Sequence, residues 1–218
     1  MSATHADPHN LGHSLSDLTR GASAEHGEHD LASKRIVVGY GFWIFLLSDI
    51  IMFAAFFASY AVLSGETAGG PSGRDLFDMK RVAIETACLL TSSFTCGMAM
   101  LGLEHKRSGL FYGAMTLTFL LGAAFLGLEV LEFVEMVEKG AGPDRSAFLS
   151  AFFTLVGCHG LHIIAGLLWL LTMMAQVFAK GFRPDILRRA MCFSLFWHAL
   201  DIIWVALFTV VYLYGAGA

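Results

Sequence analysis

The chain alternates long apolar runs with short polar segments, and five of the runs are long enough to cross a lipid bilayer. A membrane-spanning helix needs about 20 mostly apolar residues. Because backbone polar groups cannot stay unpaired in lipid, runs of this length predict helices and exclude barrel strands. The sequence therefore predicts an all-α, polytopic membrane protein, a bundle of five transmembrane helices at about residues 40–63, 82–103, 110–137, 147–178 and 190–214.

The segments between the runs are short and rich in residues that favour turns. They read "SGETAGGPSGRD" (64–75), "KGAGPDRS" (139–146) and "AKGFRP" (179–184), and Gly, Pro and Ser in such clusters are typical of loops. Residues 1–35 are polar and contain five of the nine histidines: His5, His9, His13, His26 and His29. A His-rich tract can bind metal, but the composition fits a disordered, solvated tail better. We expect a tail over residues 1–35 and a membrane domain over residues 36–218.

Composition agrees with a membrane protein, since 56% of residues are hydrophobic and 15% are charged. No soluble domain fits between the runs. The net charge of −4 comes with no basic face that would bind nucleic acid. All four cysteines lie inside apolar runs, and none forms a CxxC pair or a zinc-like spacing.

The distribution of Lys and Arg predicts the orientation of the helices, because cytoplasmic loops are enriched in both residue types. On one side we count nine: Arg20, Lys34, Arg35, Lys106, Arg107, Lys180, Arg183, Arg188 and Arg189. The other side has five: Arg74, Lys80, Arg81, Lys139 and Arg145. We expect the N-terminus to be cytoplasmic and the C-terminus to be periplasmic.

Ionisable residues inside membrane spans are costly and by default indicate a functional or structural role. The candidates for an intramembrane polar network or lipid cleft are Asp49, Glu85, Glu129, Glu132, His159, His162, His198 and Asp201. Three pairs are spaced by three residues, which places both members on one helix face. A rise of about 1.5 Å per residue predicts that Asp49, His159, His162 and Asp201 lie near the mid-plane. Glu85 and Glu135 lie closer to helix ends, where we expect them to extend to the membrane surface.

Three interpretations of the deeper residues remain open on spacing alone. Imidazoles and carboxylates can bind iron or zinc, but the Glu-x-x-His pattern of carboxylate metal proteins is absent from these runs. A proton relay needs groups staggered across the whole bilayer, whereas these cluster in the middle and outer half. Hydrogen bonding between helices needs neither condition, and each such bond contributes on the order of 1 kcal/mol. Spacing and depth modestly favour these hydrogen-bonded joints.

Three runs also resemble subunit III of the haem-copper oxidases: "GFWIFLLSDIIMFAAFFASYAVL" (41–63), "SAFFTLVGCHGLHIIAGLLWLL" (150–171) and "FWHALDIIWVALFTVVYLYG" (196–215). The loops "TAGGPSGRD" and "GAGPDRSAFLSAFF" look like the cytochrome bo-type ubiquinol oxidase branch of that family. The resemblance extends from about Ile36 to the end of the chain. One departure is Asp49, where the cytochrome c oxidase relatives have Glu.

The resemblance implies an accessory subunit of a proton-pumping quinol oxidase, part of an enzyme complex but not itself catalytic. It implies no metal or cofactor in this chain, haems and copper in the partner subunit I, and bound phospholipid. It also implies a multi-pass location in the bacterial cytoplasmic (inner) membrane. The histidines would then join helix 4 to neighbours bearing Glu129, Glu132, His198 or Asp201. A free-standing proton-coupled transporter that uses the Asp, His and Glu residues is the alternative.

Overall fold

A computed structural model of the chain describes residues 10–69 and 78–215, with side chains over 36–69, 78–213 and at 215. Its helices are α1 (Asn10–Leu63), α2 (Met79–Glu104), α3 (Ser108–Glu138), α4 (Ala147–Lys180) and α5 (Pro184–Leu207), and a π-helical segment, Phe208–Tyr214, continues α5. Five spans are long and apolar enough to cross a membrane, and the described part contains no strand. The predicted all-α, five-helix fold is confirmed.

Helix α1 begins much earlier than the predicted membrane span. The sequence predicts a disordered tail over residues 1–35, whereas the structure gives a helical backbone from Asn10 onward. No proline lies between residues 10 and 63, so every residue of this stretch has the backbone N–H that a helix requires. Residues 1–9 and the side chains of residues 10–35 lie outside the described part, and metal binding by the tail stays a prediction.

Helices α2 to α5 form the densest part of the unit that comprises residues 43–218. The connection between α2 and α3 is only three residues long, and these two helices make the most extensive contact. Helix α2 also packs on α5, and α4 packs on both α3 and α5. Helix α1 is peripheral, since 11% of its apolar window is buried against 44% for α2. It contacts the other helices mainly through large side chains such as Phe53 and Tyr60.

Large apolar side chains cover the outside of the helices. Ile51, Phe178 and Ile202 are 70%, 85% and 71% exposed. On the outside of a water-soluble protein, an apolar surface spread over five long helices would be a strong aggregation hazard. In lipid it is the expected solvent-facing surface. The exposed side chains therefore agree with the membrane assignment from length.

Helix ends follow the chemistry of their capping residues. The N-cap side chains Asp78 and Ser146 accept hydrogen bonds from the backbone N–H groups of Lys80 and Leu149, at 3.0 and 3.2 Å. Such caps satisfy N–H groups that have no partner inside the helix. Helix α5 begins at Pro184, six residues before the predicted start, because proline is well suited to the first helical turn.

Helices α2 and α3 end in the same backbone motif but with different residues at its left-handed position. In α3 this residue is Gly140, with φ 73°, and its neighbour Ala141 donates to the carbonyl of Met136 at 2.9 Å. In α2 it is Lys106, with φ 55°, and Arg107 donates in the same way, at 2.8 Å. Glycine adopts this conformation freely, whereas other residues pay roughly 1–2 kcal/mol. Lysine at this position is therefore the unfavourable choice for the backbone.

The π-helical segment keeps α5 in contact with the helix bundle beyond Leu207. Its residues Val211 and Tyr212 are both completely buried. In a π-helix each hydrogen bond spans one more residue than in an α-helix, and such segments often occur at functional sites. The segment brings Tyr212 into contact with a carboxylate of α3.

Candidate functional site in the helix bundle

Three glutamates from two helices are buried together in the interior, and we call them the glutamate cluster. Glu85 comes from α2, and Glu129 and Glu132 come from α3. Their exposed fractions are 0%, 2% and 4%. All three carboxyl groups are close enough to interact electrostatically with one another. The three-residue spacing of Glu129 and Glu132 therefore does place both on one face, and that face is directed at α2.

Most oxygens of the glutamate cluster lack a hydrogen-bond donor within the described residues. This holds for both oxygens of Glu85, both of Glu129 and Oε1 of Glu132. Tyr212 donates its hydroxyl to Oε2 of Glu132 at 3.2 Å. Gly160 of α4 makes room for Glu129, because a Cβ atom at this glycine would lie 2.9 Å from Oε1. The cluster thus occupies a tight position between α2, α3, α4 and the π-helical segment.

The predicted extension of Glu85 to the membrane surface is wrong, because Glu85 is buried, whereas the exposed side chain of Glu135 agrees with the same prediction. Glu85 faces the interior, because α2 turns this side toward Glu129 and Glu132. Glu135 is 45% exposed and accepts a hydrogen bond from Arg81 at 2.8 Å. This ion pair lies one turn beyond the cluster on each helix. Surface ion pairs of this kind contribute about 0–1 kcal/mol to the free energy of unfolding. The Arg81–Glu135 pair therefore stabilises the contact between α2 and α3 only slightly.

His159 is completely buried and is held by aromatic rings. It stacks on Trp204 of α5, with ring centroids 5.4 Å apart, and lies perpendicular to the ring of Phe125 of α3, with centroids 5.9 Å apart. Neither ring nitrogen has a hydrogen-bond partner among the described residues. The prediction that His159 is hydrogen-bonded to a carboxylate of another helix is therefore wrong in the described part of the chain. The orientation of α4 about its axis points the ring toward Trp204 instead.

His162 also fails to form the predicted joint with another helix. Its Nδ1 lies 2.7 Å from the carbonyl oxygen of Cys158 in its own helix. Its ring contacts Phe53 of α1, with centroids 5.3 Å apart. Asp49, one turn before Phe53, is half-buried and lies close enough to Cys158 for an electrostatic interaction. Asp49 thus lies near Cys158, and Phe53, one turn further along α1, contacts the rings of both histidines. The predicted position of these residues near the mid-plane stays a prediction.

The pair His198 and Asp201 on α5 shares one neighbour, as its spacing predicts. Ser93 of α2 lies 2.6 Å from Nδ1 of His198, measured from its hydroxyl oxygen. The same hydroxyl is a hydrogen-bonding partner of the Asp201 carboxyl group. This arrangement joins α2 to α5. It is a polar joint between helices, formed with a serine that was not among the predicted candidates.

Other joints between helices use hydroxyl and aromatic groups that were also not among the predicted candidates. Trp197 and Trp204 of α5 donate their indole N–H groups to Ser92 and Thr86 of α2, at 3.1 and 3.0 Å. Thr95 of α2 and Thr118 of α3 have hydroxyl oxygens 2.8 Å apart. The signal was available in "LLTSSFT" (89–95), because hydroxyl side chains often bond across helices in lipid.

An apolar groove of about 340 Å³ lies between α1 and α5. Its walls include Phe53, Phe57 and Ile202, and the side chains with a nitrogen in its lining are those of His198 and Trp43. A groove of this composition offers space to a hydrocarbon chain rather than to a polar substrate. Of the candidate residues predicted from the sequence, His198 is the one that lines this groove.

The chemistry that these groups permit is limited. Within the described residues, no three His, Cys, Asp or Glu side chains are placed to hold a metal ion. In the part of the chain that the structure describes, no Lys or Arg side chain is hydrogen-bonded to the glutamate cluster, and Tyr212 donates to Glu132. The hydroxyl groups of Thr86, Ser92, Ser93 and Thr95 connect helices. His159 has no hydrogen-bond partner among the described residues, and His162 is bonded within its own helix.

We expect Glu129→Gln to change the free energy of unfolding by less than about 1 kcal/mol, because the amide has the shape of a neutral carboxyl group. Glu129→Ala should cost about 1–3 kcal/mol, since it leaves a cavity beside Gly160. Denaturation of the detergent-solubilised protein measures both. Equal losses in the two variants would mean that Glu129 needs its negative charge.

Comparisons with known proteins agree with this picture of an all-helical membrane subunit. The family model of cytochrome c oxidase subunit III matches residues 14–216. A protein of Pseudomonas aeruginosa named Cytochrome bo(3) ubiquinol oxidase subunit 3 is 50% identical, over 97% of this chain and 95% of its own length. Quinol oxidase subunit 3 of Bacillus spizizenii is 41% identical, over 89% and 98%. Cytochrome c oxidase subunit 3 of Bacillus sp. (strain PS3) is 46% identical, over 80% and 84%. The chain belongs to the cytochrome c oxidase subunit III family.

Proposed function

We propose that this chain is the non-catalytic subunit III of a proton-pumping terminal quinol oxidase in aerobic respiration, where it flanks and stabilises the haem-copper subunit I. The observation that carries the proposal is 50% identity, over 97% of the chain, to a protein named as subunit 3 of a ubiquinol oxidase. The interior adds support, because its aromatic and hydroxyl groups are used in contacts between helices. Haems and copper belong to subunit I in this proposal, and this chain contributes no redox centre.

The proposed location is the bacterial cytoplasmic (inner) membrane, with the N-terminus in the cytoplasm and the C-terminus in the periplasm. Five spans of suitable length support a multi-pass membrane protein. The orientation is supported by nine Lys and Arg residues on the side of the N-terminus against five on the other. Phospholipid is the proposed companion of the chain, and the apolar groove between α1 and α5 is one place where an acyl chain fits.

The alternative of a free-standing proton-coupled transporter loses its support in the comparisons. The relatives described above are named as oxidase subunits, and none as a transporter. The intramembrane Asp, His and Glu residues, which motivated the transporter, are partly explained by contacts between helices. A role of these residues in a polar network stays a prediction.

The proposal is tested by purifying the chain through a tag, in a mild detergent, from its native membrane. Quinol-dependent oxygen consumption and haem absorbance should increase with the tagged chain relative to an untagged strain. Purified chain that carries neither haem nor oxygen consumption, after mild crosslinking to prevent dissociation, would contradict the proposal. Proton flux in liposomes that contain the chain alone would then be measured.

A further inference from the structure

A second cavity, of about 200 Å³, lies where α2 ends and α5 begins, and we call it the basic pocket. This end of the helices is where headgroups lie when α2 and α5 span a bilayer. The lining combines two cations with apolar side chains and one carboxylate: Lys106, Arg183, Leu103, Phe182, Leu187 and Glu104. A cavity that is apolar on one side and cationic on the other matches an amphipathic anion.

The two cations of the basic pocket are available for a ligand. The ion pairs in the described part of the chain are Arg81–Glu135 and Arg188–Asp185. Neither Lys106 nor Arg183 takes part in them, although Glu104 lines the same pocket. Further cations lie close along the sequence on both sides of the pocket, Arg107, Lys180 and Arg189, whereas Arg188 is paired with Asp185. At this end, the described cations without an ion pair therefore outnumber the carboxylate of Glu104, which favours the binding of anions.

The backbone gives a separate reason to assign a role to the side chain of Lys106. The equivalent turn at the end of α3 has Gly140, which the left-handed conformation favours, whereas α2 has lysine there with φ 55°. A residue that is unfavourable for its backbone conformation invites a functional explanation. The surrounding walls are well fixed, because Phe182 packs on Phe111 at 6.3 Å and a Cβ atom at Gly102 would lie 2.9 Å from the Phe111 nitrogen.

We infer that the basic pocket binds the phosphate of an anionic phospholipid headgroup, with Lys106 and Arg183 as its contacts. Arginine bonds phosphate through two N–H groups at once, and lysine adds a compact charge. Basic pockets between transmembrane helices are suited to anionic headgroups. Leu103, Phe182 and Leu187 provide apolar contacts for the glycerol and the first acyl carbons. This pocket would be the binding site of one of the phospholipids proposed above. The inference rests on the proposed function only in that the chain must span a bilayer.

The test uses the full chain, with any subunits that copurify, exchanged into nanodiscs of phosphatidylcholine with increasing phosphatidylglycerol. Bound phosphatidylglycerol per chain is measured by mass spectrometry. One cation near the membrane surface is worth about a fivefold change in affinity, so Lys106→Gly and Arg183→Gln should each weaken binding about fivefold. Lys106→Gly should also keep or raise the unfolding temperature in pure phosphatidylcholine, because glycine suits the backbone there.

Lys139→Gln is the matched control, because it removes one cation from the far end of α3. It should leave phosphatidylglycerol binding unchanged. Wild-type binding in Lys106→Gly, or equal losses in Lys106→Gly and Lys139→Gln, would overturn the inference. Displacement of the bound phosphatidylglycerol by added inorganic phosphate would also overturn it, in favour of a small-anion site. Lipid counts per chain do not depend on oxidase activity, so this result is independent of the proposed function.

Discussion

We expect Trp204→Ala to lower the free energy of unfolding of the helix bundle by about 3–5 kcal/mol, the range for removing a buried tryptophan. The side chain is completely buried. Its ring meets Phe125 at 4.6 Å, His159 at 5.4 Å and Tyr212 at 6.1 Å, and its N–H donates to Thr86 at 3.0 Å. Truncation therefore removes contacts of α5 with α2, α3 and α4 together. Reversible unfolding of the detergent-solubilised protein in dodecyl sulfate measures the loss.

Two further variants separate ring packing from hydrogen bonding at Trp204. Thr86→Val removes the acceptor of the indole N–H and should cost about 1 kcal/mol, as one hydrogen bond between helices in lipid does. Trp204→Phe keeps most of the ring area and should fall between Thr86→Val and Trp204→Ala. A loss below about 1 kcal/mol in Trp204→Ala would mean that the interior closes around the gap.

Gly166→Leu should destabilise the contact between α4 and α5 by about 3 kcal/mol or more, at the upper end of overpacking effects. A Cβ atom at this position would already lie 2.8 Å from Cζ3 of Trp197 and 3.3 Å from Phe196. Trp197 has little freedom to move, because it is 1% exposed and its N–H is bonded to Ser92. The helices must then separate, which we expect to show as reduced yield of folded protein and a lower unfolding temperature.

Gly127→Leu on α3 is the matched control for Gly166→Leu. Its Cβ would meet nothing within 4 Å, and leucine has a favourable helix propensity. Stability should stay the same or increase slightly. If both variants lose stability equally, the damage comes from the helix backbone rather than from the close approach to Trp197.

Sequence alone predicted the five spans because the bilayer fixes both the length and the polarity of a membrane helix. The predicted ends of the spans agree with the helix ends in the structure within a few residues, with two exceptions. One is Pro184, which starts α5 early, and the other is Asn10, where α1 begins inside a polar segment. Hydropathy is insensitive to both, since neither proline capping nor helix propagation changes the apolar content of a run.

The candidate site was only partly predictable, because periodicity gives the face of a helix but not the neighbour that this face meets. Spacing correctly put Glu129 and Glu132 on one side. It could not show that Glu85 of α2 would complete their cluster, or that His159 would face Trp204. Those contacts depend on the rotation of each helix about its axis, which is set by how bulky side chains pack across the bundle.

The π-helical segment Phe208–Tyr214 affects the direction in which its side chains point around the helix axis. A widened turn of this kind accommodates one residue more than an α-helical turn, and one residue corresponds to about 100° of rotation. Deleting a single residue upstream of Tyr212 would therefore swing its hydroxyl away from Glu132. The length of this segment, more than its composition, determines that a phenol from the end of the chain meets a carboxylate on α3.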